Sequence, residues 1–164
     1  MSAEPQSGSL EGVERVRADA AARGLDVEIV ERAAARSLHE AAELMGLQPG
    51  DIVKSLVVKK ADQSFVFALV PGGRKISWPK LRGLLGVNRL QLPDAGQALE
   101  ATGYERGTIT PFGSSHPWPV IADASIAGRR ISMGAGAHGY SLFVDADAMV
   151  EAFAAQVADI SEPE

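Results

Sequence analysis

The chain has 164 residues, a formal net charge of −5, 46% hydrophobic residues and no cysteine. That length suits one domain with a sizeable core, and the missing cysteines exclude structural disulfides, thiolate metal sites and thiol nucleophiles. The acidic balance gives no overall attraction to nucleic acid; with no signal-type N-terminus and no run of about 18 apolar residues, the expected location is the cytoplasm, with neither a membrane nor DNA as partner.

Residues 1–8 are small and polar and read as a loose N-terminus ahead of a single domain over 9–164. Leu10, Val13, Val16, Ala20 and Leu25 form one apolar stripe at helical spacing, stopped by Gly24. Asp26–Val30 alternates as a strand. Ser37 caps a second helix, with Glu40 placed to complete a capping box, and that helix stops near Gly46. Ile52–Val58 and Phe65–Val70 read as an antiparallel strand pair broken by Pro71-Gly72-Gly73. Ser77 opens a helix that ends at Gly86, Arg89–Leu92 is a short strand, and Asp94 caps a helix running to Gly103. Residues 103–119 are rich in glycine and proline, a loop long enough to suggest function. Trp118–Ala122, Arg130–Met133 and Tyr140–Val144 read as strands. A helix capped by Asp145 or Asp147 follows, with a last strand at Val157–Ile160. Hairpins and helices that do not alternate regularly predict a mixed α/β fold, with a compact, partly antiparallel sheet surrounded by helices.

Charge is distributed unevenly. Residues 51–113 carry nine basic and five acidic side chains, whereas 1–50 carry five and nine, and 114–164 carry two and seven. A local basic patch in the middle of the chain could meet a phosphate backbone, or these residues are ordinary solvated surface.

Three places can carry chemistry. Lys54 interrupts an apolar strand, where a lysine is costly unless its ammonium reaches water or an anion; it lies either on a wet face or in a cleft. The loop Gly107-Thr108-Ile109-Thr110-Pro111-Phe112-Gly113 combines glycines that permit close backbone approach with a stiffening proline. Its N–H groups can hold a carbonyl or an oxyanion, or the loop is a rigid turn. The run Gly134-Ala135-Gly136-Ala137-His138-Gly139 precedes a strand, so it is no dinucleotide fingerprint, and it lacks the ending of a P-loop. His138 is its one side chain with proton chemistry. His39, His116 and His138 show no metal-ligand spacing, there is no Gly-x-Ser-x-Gly elbow, and neither a metal nor a cofactor is expected. Phe65 and Phe67 suit a core better than a base-stacking platform.

The segment Ile52-Val53-Lys54-Ser55-Leu56-Val57, the Gly107-x-x-x-Pro111-Phe112-Gly113 loop and the late Gly-x-Gly-x-His-Gly turn resemble, in that order, the YbaK family of aminoacyl-tRNA deacylases, relatives of the editing domain inserted in bacterial prolyl-tRNA synthetases. Ala41–Gly46, Ala101–Tyr104 and Val157–Ile160 agree as well, so the resemblance covers roughly Ser37 to Ile160. It implies the editing-domain fold and hydrolysis, in trans, of the ester joining a wrong amino acid to the 3′ adenosine of tRNA. Ala- or Cys-tRNAPro would be the substrate, with the aminoacyl-tRNA 3′ end as partner. A prolyl-tRNA synthetase or an elongation factor could supply added affinity. By the same resemblance Lys54 holds the terminal phosphate, and Gly107 shapes the pocket and positions the scissile carbonyl. Ser55, Thr108, Pro111, Phe112, Gly134, Gly136 and His138 would contact substrate. Ser55 and Thr108 depart from the threonine and glycine common at these positions. Two other functions fit the residues: a non-catalytic module that binds the aminoacyl-tRNA 3′ end, and an esterase of small activated esters.

Overall fold

The computed structural model describes residues 3–32 and 36–164, with side chains from Glu11 onward. Of the segment expected to be loose, residues 1–2 lie outside what is described, as does the Leu10 side chain of the first stripe, whereas the backbone of residues 3–8 is helical rather than loose. Helix α1 (Ala3–Ala22) begins ahead of Leu10 and buries Val13, Val16 and Ala20. The first strand is β1 (Glu28–Glu31). Helix α2 (Leu38–Met45) starts at Ser37, whose hydroxyl accepts the Glu40 N–H at 3.1 Å. The reciprocal half of the expected capping box is displaced: Glu40 Oε1 accepts from the N–H of Arg36 rather than from that of Ser37, at 2.6 Å.

The central hairpin is β2 (Val53–Lys60) and β3 (Phe65–Pro71), antiparallel with Lys54 opposite Val70. A three-residue strand, β4 (Arg74–Ile76), follows the Pro-Gly-Gly break. Helix α3 (Trp78–Leu85) is capped by Ser77 and Gly86, and α4 (Ala95–Thr102) by Asp94 and Gly103, each bracketed as expected. Between them lies β5 (Leu90–Gln91). After the long loop come β6 (Val120–Asp123), β7 (Arg130–Gly134), β8 (Tyr140–Asp145) and α5 (Ala146–Phe153), with Asp145 as the cap. The expected last strand is two: β9 (Gln156–Ala158) and β10 (Ser161–Pro163).

These strands form a mixed five-stranded sheet in the order β5-β2-β3-β6-β9, an antiparallel three-stranded sheet β1-β8-β7, and the pair β10-β4. In the larger sheet β3 and β6, and β6 and β9, run parallel. A parallel bridge between Ile52 and Ser132 joins the start of β2 to β7 and sets the two sheets edge to edge.

The apolar run of β3 is continuous because both of its faces are buried. Phe67 and Leu69 enter a large core with Val16, Tyr104, Phe112, Leu142 and Met149. Val66, Ala68 and Val70 enter a smaller one with Leu81 of α3 and Ile160. Asp123, at the end of β6, is 2% exposed. It accepts the Ser125 hydroxyl, the Ser125 N–H at 3.2 Å and the Ile160 N–H at 3.0 Å. Burial pushes its pKa up, but these hydrogen bonds outweigh it and hold the carboxyl below its ordinary value. Among the described residues no helix is long and apolar enough to cross a membrane.

Candidate active site

Where β2 leaves the five-stranded sheet beside β7, the sheets part and leave a cavity of about 580 Å³. Strand β2 contributes Lys54 and Ser55 to its wall, the long loop contributes Gly107 and Ile109, and β7 contributes Ser132, Met133 and Gly134. The size falls within the range of small-molecule sites. Met45 from α2 and Met133 give the wall soft, adaptable surface. Among the described residues, the ionisable ones in the lining are Arg32, Lys54, Arg106 and Tyr140, with no carboxylate and no imidazole. In a chain of net charge −5, three cationic residues contribute to the lining, with the Lys54 ammonium itself bonded to Arg74 and Glu164 outside it.

Alternation along β2 sends Ser55 and Lys54 to opposite faces. The Ser55 hydroxyl points toward Met133, 4.0 Å from its sulfur. Lys54 Nζ donates to the carbonyl of Arg74 and lies 3.4 Å from Glu164 Oε2. The pair is half exposed, 37% at Lys54 and 58% at Glu164. A pair this wet is worth about 0–1 kcal/mol, so a stronger anion can displace the carboxylate.

The two glycine-bearing loops lie against each other. Gly107 has φ +93, and a Cβ added there would stand 3.5 Å from His138 Cε1. Among the described residues the Gly107 N–H makes no hydrogen bond. Thr108 is 3% exposed; its hydroxyl donates to the Glu105 carbonyl and its own carbonyl accepts the Gly136 N–H at 3.1 Å. Gly134 packs so closely on the loop that a Cβ would fall 2.8 Å from the Ile109 carbonyl oxygen. His138 is exposed beside Gly107 and meets Glu105 Oε1 at 3.2 Å.

Helix α1 braces both loops from behind. A Cβ on Gly136 would lie 2.7 Å from the Gly12 carbonyl oxygen, so helix and turn touch backbone to backbone. Arg15 donates to the carbonyls of Gly113 (2.6 Å), Thr102 (3.3 Å) and Gly103 (3.4 Å), and lies over the Tyr104 ring. Asp19 accepts the Gly113 N–H at 2.8 Å. The Tyr104 hydroxyl donates to the Phe112 carbonyl at 2.6 Å, and burial pushes its pKa up to about 12.

Lys54, Ser55, Gly107 and Gly134 thus share one cavity. Thr108, Pro111, Phe112 and Gly136 are not on its wall: Thr108 supports the loop, Pro111 is buried, Phe112 packs edge-on against Phe153 at 4.9 Å, and Gly136 meets α1. His138 stands beside the wall rather than in it. Sequence reasoning missed Arg32, Arg106, Met45 and Met133. Arg106 had a signal, being next to Gly107 in the basic stretch; the others reach the cavity through pairing between distant segments. His116 stacks on Trp118, and its Nδ1 is 3.1 Å from the Ala101 carbonyl oxygen. Among the described residues no three His, Asp or Glu side chains gather as a metal site would need.

Residues 32–152 match the family model of the aminoacyl-tRNA editing domain. The proline–tRNA ligase of Thermosipho africanus is 38% identical over 91 residues, 56% of this chain and 16% of the ligase. That of Bacillus velezensis is 27% identical over 124 residues, 73% of this chain and 22% of the ligase. The chain therefore spans only about a fifth of the length of these relatives. Among solved structures, one described as a proposed trans-editing enzyme for prolyl tRNA synthetase superposes with a TM-score of 0.84 at 28% identity, covering 92% of this chain and 97% of the other. A second, of a hypothetical protein, gives 0.83 at 28% identity over 90% and 99%.

Proposed function

The chain belongs to the aminoacyl-tRNA editing domain family, and from that premise we propose that it hydrolyses mischarged aminoacyl-tRNA in trans, with Ala-tRNAPro or Cys-tRNAPro as substrate. The observation that carries this reading is the cavity, in which Lys54 shares a wall with the backbone of two glycine-bearing loops. Lys54, already facing a displaceable carboxylate, takes the phosphate of the terminal nucleotide. The Gly107 N–H faces the scissile carbonyl and stabilises negative charge on its oxygen as water adds. The ester C–O bond then breaks, the ribose hydroxyl recovers a proton, and the free amino acid leaves. An aminoacyl ester is an activated acyl donor, so holding water and carbonyl in line supplies much of the rate. Among the described residues no lining side chain is a carboxylate or imidazole, which suits a reaction whose base is the substrate's own ribose hydroxyl or water.

The wall around Met45 and Met133 limits side-chain size, and one methylene of difference is worth about 1–3 kcal/mol in such a pocket. The test is deacylation of Ala-tRNAPro, Cys-tRNAPro and Pro-tRNAPro by the purified protein. Loss of one mischarged species with Pro-tRNAPro spared supports the reading. Tight binding without turnover of any of them replaces it with a module that reads the aminoacyl 3′ end, a role that the absence of a side-chain base in the cavity would also fit.

A further inference from the structure

A second depression, of about 430 Å³, lies between the β2–β3 turn and the segment joining α3 to β5. Its cations are Lys59, Lys60, Arg82 and Arg89, with Gln63, Asn88 and Gln91 adding amides, and among the described residues no carboxylate lines it. Among the described residues none of the four cations makes an ion pair or a side-chain hydrogen bond. Elsewhere Arg23, Lys80, Arg129 and Arg130 are held by Asp19, Asp159, Asp51 and Glu28. The neighbouring acid, Asp62, is hydrogen-bonded to the Ser64 N–H at 3.0 Å and the Ser64 hydroxyl at 2.6 Å, and it attracts Lys60 without forming an ion pair with it. Four positive charges around one groove, none of them in an ion pair among the described residues, oppose the net charge of −5, and like charges held together repel unless an anion sits among them.

The groove continues the cavity. Leu90 and Gln91 line the groove while the next two residues, Leu92 and Pro93, line the cavity. Strand β2 serves both, with Lys54 at one end and Lys59 and Lys60 at the other, where Lys59 pairs with Gln91 of β5. At roughly 3.3 Å per residue, Lys54 and Lys60 lie about 20 Å apart. A stacked nucleic-acid strand advances roughly 3.4 Å per nucleotide, so that interval spans about six nucleotides.

We propose that this groove is a docking surface for the RNA backbone leading into the cavity, receiving the phosphates of the unpaired 3′ segment and the start of the stem. The proposal rests on the deacylase reading for the orientation of the RNA. Phosphate contacts of this kind set affinity and register without reading sequence, which lets an acidic protein hold tRNA through one local surface.

The test compares wild type with a variant carrying Lys59→Ala, Lys60→Ala, Arg82→Ala and Arg89→Ala, its folding checked by thermal denaturation. An acceptor-stem RNA hairpin ending in CCA is titrated at several salt concentrations. Deacylation is followed on mischarged tRNA and on aminoacyl-adenosine, which has no upstream phosphates. Four lost contacts at a slope of about 0.7 each lower the log–log salt dependence by about 3. The hairpin Kd and the KM for tRNA rise at least about tenfold, while turnover of aminoacyl-adenosine is unchanged. Wild-type Kd, salt slope and KM in the variant overturn the proposal and leave the deacylase reading standing. Groove-dependent RNA binding by a protein that deacylates nothing supports the groove and removes the reaction. Unchanged RNA affinity with lost binding to polyglutamate assigns the groove to an acidic protein surface and overturns the proposal.

Discussion

Two glycines in helices, Gly12 and Gly83, should respond to the same substitution in opposite directions. Replacing glycine by alanine inside a helix is worth about 1 kcal/mol in intrinsic preference. At Gly83, on the exposed face of α3, a Cβ meets nothing within 4 Å, so Gly83→Ala should gain that amount. At Gly12 the Cβ would stand 2.1 Å from the Gly136 carbonyl oxygen and 2.9 Å from its carbon. Both sides are backbone, so no side-chain rotation relieves the clash, and helix and turn must separate. Overpacking costs about 1–3 kcal/mol; with two backbones involved the upper end applies, and Gly12→Ala should lose about 2 kcal/mol net. For a chain of this length each kcal/mol moves Tm by about 2–4 °C, so Gly12→Ala should melt about 4–8 °C below wild type and Gly83→Ala about 2–4 °C above it. Calorimetry or circular dichroism of the pair reads this directly. A Gly12→Ala protein as stable as wild type would refute the close contact between α1 and the late turn, and with it the bracing of the two loops.

Two further outcomes concern stability. Asp123 has a folded-state pKa below its ordinary value of 3.8 because its hydrogen bonds outweigh burial, so its contribution is fully present above about pH 4. It fades as pH falls through the folded value. Asp123→Asn should therefore cost about 2 kcal/mol at neutral pH, with the gap to wild type closing on acidification; urea midpoints that differ equally at all pH values would contradict it. Ala154 closes α5 in the left-handed region at φ 51, where a Cβ is strained by about 1 kcal/mol. Ala154→Gly should stabilise the fold by about 0.5 kcal/mol once the freer unfolded chain is counted, read as a higher urea midpoint.

What the sequence made legible was what local chemistry decides. Ser77 and Gly86, or Asp94 and Gly103, bracket their helices through bonds made within a turn or two. The β2–β3 hairpin was legible because its two apolar runs lie next to each other in the chain. The short strands β4 and β10 were not, since each has three residues and exists only because the other, far along the chain, pairs with it. The site divides in the same way. Lys54 stood out because a charge interrupts an apolar strand, and Gly107 because its loop is rich in glycine and proline. Gly136 looked like a pocket residue, yet its lack of a side chain serves the contact with Gly12; from sequence, a glycine kept for a ligand and one kept for a neighbouring helix look alike. Arg32 and Met45 reach the cavity only after the two sheets meet at Ile52 and Ser132.

The most direct test of the proposed reaction is the rate at which wild type and Lys54→Ala deacylate Ala-tRNAPro and Cys-tRNAPro beside Pro-tRNAPro. The Lys54–Glu164 pair is half exposed, so its loss should cost about 1 kcal/mol or less and leave the fold intact. A lost charge-assisted contact to phosphate is worth about 1.5–3 kcal/mol. Wild type should therefore clear one mischarged species and spare Pro-tRNAPro, with kcat/KM falling about 10–100-fold in a folded Lys54→Ala protein. Equal rates for the two proteins would contradict the assignment of the phosphate to Lys54, and no hydrolysis by wild type would contradict the deacylase itself.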